Sequence, residues 1–75
     1  MRVIKEIPID NIKVDRFAIQ PKTLDLVDYL RNGGSVPPIH IYRQNGTFIL
    51  CDGRHRLTAF KLLGRNEIMA RFYDG

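Results

Sequence analysis

Residues 50–64 have the sequence LCDGRHRLTAFKLLG, and this stretch decides the fold. A β-rich run ends at Cys51, and Gly53 separates this run from an apolar pattern at helical spacing. The pattern is formed by Leu57, Ala59, Phe60 and Leu63. Gly64 ends the pattern, as a glycine past the last helical turn does. The stretch therefore predicts a strand, a tight connection and a helix.

The segment before this stretch predicts a β-hairpin. Residues 39–43 alternate between apolar and polar side chains, and residues 47–51 are rich in β-forming types. Asn45-Gly46 between them is a strong signal for a two-residue turn. Such a turn sets the strand register, which predicts that His40 lies opposite Cys51.

The ends of the chain predict two more strands. Residues 2–9 alternate loosely, and Pro8 marks the edge or end of that strand. Residues 67–73 predict the last strand, with Ile68, Ala70 and Phe72 on one side. Residues 10–19 have weak periodicity and are expected to be irregular.

One further helix is predicted between these segments. Gln20-Pro21-Lys22-Thr23 is typical of a helix entrance, with Thr23 as the candidate N-cap. Asn32-Gly33-Gly34 ends the helix, and its apolar positions are Leu24, Leu26, Val27 and Leu30. The order of elements predicts an α/β (α+β) fold with one mixed sheet and two main helices, in a single domain over residues 1–75.

Composition narrows the functional classes. The 75 residues are 44% hydrophobic and 27% charged, as in a small globular domain. We find no apolar run of membrane-span length and no secretory signal, so we expect a cytoplasmic protein without a membrane partner. The net charge of +4 is compatible with a phosphate-bearing partner. The small size is compatible with a homo-oligomer, or with additional domains in a longer protein.

The connection at residues 52–56, DGRHR, is the candidate site. Unpaired N–H groups and the dipole at a helix start attract anions, and arginine and histidine add donors suited to phosphate oxygens. Two arginines in a first turn oppose the helix dipole unless an anion is bound. The simpler alternative is that Asp52 caps the helix and the arginines are only solvated. The residues alone leave both interpretations open.

Residues 50–64 also resemble the second conserved box of ParB-like domains. In those domains a strand leads into Gly-Glu-Arg-Arg, an alanine-containing helix and a Leu-Gly end. Pro38-Ile39 is similar to the Gln-Pro-Ile segment before that box, and residues 9–22 are similar to the family's opening. The resemblance covers nearly the whole chain in the right order and implies a ParB/sulfiredoxin-like fold.

Two other groups with this fold show local likeness. Residues 35–39, SVPPI, and 53–56, GRHR, are similar to Ser-Val-Pro-Pro-Ile and Gly-Cys-His-Arg of sulfiredoxins. The Asp-Gly-His-Thr-Arg of archaeal free-serine kinases is similar to residues 52–56. Across these groups the loop holds nucleotide phosphates, so the resemblance implies a CTP or ATP site. The candidate phosphate-binding residues are Lys22, Gly53, Arg54, His55, Arg56 and Thr58.

Arg54 is the main departure from these families. It stands where sulfiredoxins have their nucleophilic cysteine and where partition proteins have a glutamate that supports nucleotide turnover. Sulfiredoxin activity is therefore not expected, and Cys51, three residues earlier, does not replace the nucleophile. Nucleotide hydrolysis and phosphotransfer stay open. The setting implied by the resemblance is DNA-related: partition, plasmid or phage.

Several alternatives remain. The same loop would also suit DNA backbone phosphates in a non-enzymatic module. A small ATP-dependent phosphotransferase would need a base, for which Asp10, Asp15 and Asp52 are candidates. Asp52 is also the nearest ligand for a Mg²⁺ that accompanies nucleotide phosphates. A protein-only metal site from His40, Cys51, Asp52 and His55 lacks a recognised ligand spacing.

Overall fold

The hairpin and the terminal strands assemble into one mixed sheet. The computed structural model describes residues 2–17 and 19–73. The strands there are β1 (Arg2–Pro8), β2 (Ile12–Lys13), β3 (Ile39–Gln44), β4 (Thr47–Asp52) and β5 (Glu67–Tyr73). Their order is β1-β5-β3-β4-β2. The pairs β1–β5 and β3–β4 are antiparallel, whereas β3–β5 and β2–β4 are parallel, which confirms the predicted mixed sheet.

The predicted hairpin is confirmed next to its turn. Asn45-Gly46 has positive φ at both residues, as a type I′ turn requires, and the pairs beside the turn are those predicted. The predicted pairing of His40 with Cys51 is wrong. His40 lies opposite Asp52, because a register shift between His40 and Ile41 moves the end of the ladder by one residue.

The segment predicted to be irregular, residues 10–19, is ordered in part. A short 3-10 helix spans Ile9–Asn11, and β2 comes directly after it. Two residues show no alternation, so β2 is recognised only by its parallel pairing with β4 and by the burial of Ile12. Ala18, within the same segment, lies outside the described residues.

The first helix, α1 (Pro21–Arg31), has Gln20 as its N-cap. The prediction that Thr23 is the N-cap is wrong, because Thr23 occupies the third helical position and is fully buried. Its hydroxyl accepts a hydrogen bond from the Gln20 N–H at 3.4 Å. The threonine therefore caps the helix from inside its first turn, as in one half of a capping box.

The outer side of α1 differs from the prediction as well. Val27 and Leu30 are buried as expected, but Leu24 is 52% exposed. Helical spacing alone includes Leu24 in the apolar stripe, whereas the structure buries a narrower stripe. The helix ends at Arg31, with Asn32 as its C-cap and the left-handed Gly33 after it, so Asn32-Gly33 ends the helix as predicted.

The second helix, α2 (Arg54–Leu62), lies between the sheet and α1. On one side Leu57, only 1% exposed, joins the main core with Ile39 and the other inward strand residues. On the other side Ala59 joins Val27 and Leu30 in a second apolar cluster. Fully burying a side chain such as Leu57 contributes about 1.5–3 kcal/mol. In the described residues, no helix is long and apolar enough to cross a membrane.

Candidate functional site

The site begins where β4 turns into α2. Gly53 is the N-cap, with φ 111° and ψ 28°, and its carbonyl accepts the first helical hydrogen bond, from the Leu57 N–H at 2.9 Å. Asp52 does not cap the helix through its side chain. The N–H groups of the first turn have no partner within the helix, so they lie open to an external acceptor.

Gly53 is also required for packing. A Cβ at this position would lie 2.6 Å from Ile39 Cγ2 and 2.9 Å from Ile39 Cβ. The left-handed φ adds a second reason for glycine, because other residues rarely adopt it. The start of α2 is therefore held tightly against the sheet, and Gly53 has a structural role apart from any ligand.

A cavity of about 930 Å³ opens where the amino-terminal ends of α1 and α2 meet. Gln20 and Lys22 line it from α1, and residues 53–56 line it from α2. Both helix dipoles place partial positive charge at this end. Among the described residues that line it, the cationic side chains are Arg16, Lys22, Arg54 and Arg56, and Asp52 is the single carboxylate. The cavity is therefore strongly positive.

Arg54 is the most unusual of these cations. Its Nε is buried and has no hydrogen-bond partner. In the part of the chain that the structure describes, none of the ion pairs involves Arg54, Lys22 or Arg16. A buried donor without an acceptor costs roughly 1–3 kcal/mol. An anion beside Arg54 would supply the acceptors that the protein itself does not provide.

Arg56, by contrast, is held by the protein. Its Nη1 donates to the carbonyl oxygens of Pro37 at 3.1 Å and Pro38 at 2.9 Å. Its Nη2 donates to Asp52 Oδ2 at 3.3 Å, and the Arg56 side chain is only 19% exposed. These contacts fix the extended Pro37-Pro38 connection against α2. They also leave fewer guanidinium donors for a phosphate than the sequence suggests.

His55 joins the two helices. Its Nδ1 lies 2.8 Å from Thr23 Oγ1, so a buried hydroxyl of α1 fixes the orientation of the imidazole. Nε2 is the ring nitrogen left for a ligand in the cavity that His55 lines. The sequence predicted His55 at the site but not this link through Thr23.

Thr58 is not brought to the cavity surface. It is 1% exposed, and its hydroxyl donates to the Arg54 carbonyl at 2.7 Å. The threonine therefore supports the first turn of α2 from behind. Of the six predicted phosphate-binding residues, the structure brings five to the cavity: Lys22, Gly53, Arg54, His55 and Arg56.

The loop before α1 supplies residues that sequence reasoning missed. Arg16, Phe17 and Ile19 line the cavity, with Phe17 40% and Ile19 63% exposed. The available signal was two apolar residues in a segment that predicts neither helix nor strand. Leu26 and Val36 add apolar surface to the same cavity.

The candidate metal ligands do not converge. Within residues 2–17 and 19–73, no group of three or more histidine, cysteine or acidic side chains is placed to hold a metal ion. Cys51 and Asp52 line the cavity beside His55, but His40 does not. The Asp52 side chain is 74% exposed and offers one carboxylate at the cavity rim.

Comparisons with known proteins agree with this fold. The family model of the ParB N-terminal domain matches residues 1–74. The probable chromosome-partitioning protein ParB of Campylobacter jejuni is 38% identical over 50 residues. That match covers 67% of this chain and 18% of the relative's length. Sulfiredoxin from Arabidopsis thaliana has a TM-score of 0.84 at 30% identity, over 97% of this chain and 86% of that one.

Two ligand-bound structures share the fold. ParB from Caulobacter crescentus, C-terminally truncated and complexed with CTP-γ-S, has a TM-score of 0.77 at 18% identity. The match covers 97% of this chain and 45% of that one. A free serine kinase in complex with AMP has a TM-score of 0.81 at 19% identity, over 95% of this chain and 31% of that one.

Proposed function

Because this chain belongs to the ParB N-terminal domain family, we propose that it binds a nucleotide, with CTP and ATP as the candidate ligands. The family relative in Campylobacter is a probable chromosome-partitioning protein, which supports a DNA-partition context. A fold neighbour from Caulobacter is complexed with CTP-γ-S, and a free serine kinase of the same fold is complexed with AMP. Both ligands are nucleotides that carry phosphate.

The observation that carries the proposal is the unpartnered Nε of Arg54 at the start of α2. Arg54 lies in a cavity where two helix N-termini meet and where its neighbours Lys22 and Arg16 form no ion pair among the described residues. Clustered cations repel one another, so this arrangement does not stabilise the free protein. A bound phosphate group attracts the same cations and accepts hydrogen bonds from the N–H groups in the first turn of α2.

The phosphates are proposed to contact Gly53, Arg54 and His55, with Lys22 reaching from α1. Arg56 lines the same cavity and keeps Pro37-Pro38 in place. Thr58 would act indirectly, through the Arg54 carbonyl that it binds. The apolar side chains of the cavity offer a surface for the sugar or base, which is the less polar part of a nucleotide.

Magnesium fits only as a companion of the ligand. Asp52 can offer one carboxylate oxygen at the cavity rim, and Mg²⁺ commonly takes one or two carboxylates plus phosphate oxygens. The proposal is limited to binding, because Arg54 provides neither a thiol nor a carboxylate at the position where the related families react.

The test is thermal unfolding of the 75-residue chain with CTP, ATP, GTP and UTP, each with and without Mg²⁺. A ligand at 100 times its Kd adds about 2.7 kcal/mol to the free energy of unfolding. In a domain of this size that corresponds to a midpoint increase of roughly 10–20 °C. We expect one nucleotide to produce such a shift.

The variants Arg54→Ala and Lys22→Ala should each reduce the shift strongly. Arg54→Ala should not lower the midpoint of the free protein, since it removes an unsatisfied buried donor. Matched controls are Arg31→Ala, in the last turn of α1, and Lys5→Ala, on β1; both should keep the full shift. If no nucleotide shifts the midpoint at millimolar concentration, the proposal is wrong. Binding to duplex DNA that Arg54→Ala abolishes would then favour the DNA-phosphate alternative.

A further inference from the structure

The face of the sheet opposite the helices carries a second arrangement of aromatic and cationic side chains. Alternation along the strands places one set of residues in the core and the other on this open face. The open-face set includes Arg2, Ile4, Glu6, His40, Tyr42, Glu67, Met69, Arg71 and Tyr73. α2 packs on the other side, because Leu57 and the inward strand residues share one core, and α1 packs against α2. We name this surface the open sheet face.

Two exposed tyrosines lie on the open sheet face and line the same cleft. Tyr42 on β3 is 47% exposed and Tyr73 on β5 is 68% exposed. β3 and β5 are parallel, with His40 opposite Arg71, and Tyr42 and Tyr73 each follow two positions later on their own strand. Both border a shallow cleft of about 210 Å³. Neighbouring strands are about 4.8 Å apart, so both tyrosines are within reach of one extended ligand.

Cationic side chains lie beside these two tyrosines. Arg2 stacks on the Tyr73 ring at 5.4 Å and donates to its hydroxyl at 3.0 Å, which holds that ring in place. Arg71 borders the same cleft, and its Nε is buried without a hydrogen-bond partner. None of the ion pairs among the described residues involves Arg71 or Arg2. His40 also lines the cleft, whereas no carboxylate among residues 2–17 and 19–73 does.

We propose that the open sheet face binds a single-stranded nucleic acid. Exposed aromatic rings on a sheet stack with unpaired bases, and arginines beside them bind the backbone phosphates. A purely apolar partner would leave the Arg71 guanidinium without an acceptor. A duplex would keep its bases stacked inside and could not use the tyrosines. The site is separate from the cavity at the helix N-termini and does not depend on nucleotide binding there.

The experiment measures binding of the 75-residue chain by fluorescence anisotropy. The ligands are labelled dT and rU strands of about 12 nucleotides and a duplex of the same length. This length lies within the site sizes of known single-strand binders. We expect both single strands to bind more tightly than the duplex, and the ratio of dT to rU affinity to show whether DNA or RNA is preferred. Tyr42→Ala and Tyr73→Ala should each weaken binding by about 5- to 150-fold, the range for loss of one stacked base. Tyr42→Phe should retain most of the affinity, because it keeps the ring.

Control variants separate this site from the rest of the surface. Tyr29→Ala removes an exposed tyrosine of α1 on the helix side and should leave the affinity unchanged. Arg71→Gln should lower the slope of log affinity against log salt by about 0.7, as expected for one phosphate contact on a single strand. Arg31→Ala, in the last turn of α1, should not alter strand binding. Strand binding and nucleotide binding are measured with different ligands, so failure of the nucleotide proposal would leave this result intact.

Three results would overturn the proposal. The first is equal affinity for the duplex and the single strands. The second is an affinity of the Tyr42→Ala and Tyr73→Ala variants equal to that of Tyr29→Ala, with all variants folded by circular dichroism. The third is Tyr42-dependent binding of a labelled poly-glutamate peptide without binding of any oligonucleotide, which would assign the face to an acidic protein partner.

Discussion

Replacing Gly53 by alanine tests how tightly the start of α2 is held against the sheet. The new Cβ would lie 2.6 Å from Ile39 Cγ2 and 3.2 Å from Arg56 Nη2. Ile39 is fully buried on β3 and cannot move without disturbing the core. A left-handed φ costs a non-glycine residue about 1–2 kcal/mol, and overpacking a core about 1–3 kcal/mol. We therefore expect Gly53→Ala to lower the free energy of unfolding by about 2–5 kcal/mol.

That loss is large for this chain, whose total stability is expected to be roughly 4–11 kcal/mol. Gly64→Ala is the matched control at the other end of α2. Gly64 also has a positive φ, of 75°, but a Cβ there would have no atom within 4 Å. The control should lose only the conformational part, about 1–2 kcal/mol.

Urea unfolding followed by circular dichroism measures both variants against the parent chain. The difference between Gly53→Ala and Gly64→Ala isolates the steric contribution of Ile39. If the two variants lose the same free energy within about 0.5 kcal/mol, the packing argument for Gly53 is refuted. When the free energies of unfolding of the two variants have the same slope against urea concentration, the difference between their urea midpoints gives the difference in stability.

Two further predictions concern residues with structural roles at the same site. Arg56→Ala should lower the free energy of unfolding by about 1.5–3 kcal/mol in the absence of ligand, because it removes charged donors from the Pro37 and Pro38 carbonyls. An unchanged urea midpoint would contradict this structural role. Thr23→Val keeps the side-chain shape but removes the hydroxyl that accepts from the Gln20 N–H and contacts His55 Nδ1, and should cost about 1–3 kcal/mol. Thr47→Val, at an exposed strand end, is its control, and an equal urea midpoint for the two valine variants would show that the Thr23 contact is unimportant.

Local chemistry made much of the fold predictable. The Asn45-Gly46 turn, the glycine ends of both helices and the alternation in β5 are each decided within a few neighbouring residues. Such signals are visible in sequence because backbone sterics and side-chain periodicity act over short range. Prediction failed for β2, for Thr23 and for the register at His40, and each depends on partners outside its own segment. β2 pairs with β4, the Thr23 hydroxyl contacts His55, and His40 lies opposite Asp52.

The candidate site likewise has features that neighbouring residues decide and features that tertiary packing decides. The Asp-Gly-Arg-His-Arg connection at the start of a helix is a local pattern, and with Lys22 from the other helix entrance it predicted five residues that the structure brings to the cavity. The hydrogen-bond partners of the predicted residues could not be read from the local pattern. Arg56 is committed to Pro37-Pro38, His55 to Thr23, and Thr58 to the inside of the first turn. Residue type shows what a side chain can bind, but its partners are settled by packing.

The sequence by itself determined the α+β class, the hairpin, both helices and a basic connection suited to phosphate, because each depends on short-range sterics, periodicity or residue chemistry. Tertiary structure alone decided that the N-termini of α1 and α2 meet in one cavity and that the Arg54 Nε is left there without a partner. It also decided that Tyr42 and Tyr73 share one open face. These arrangements depend on the strand order β1-β5-β3-β4-β2, which joins residues distant in sequence through contacts that no local pattern encodes.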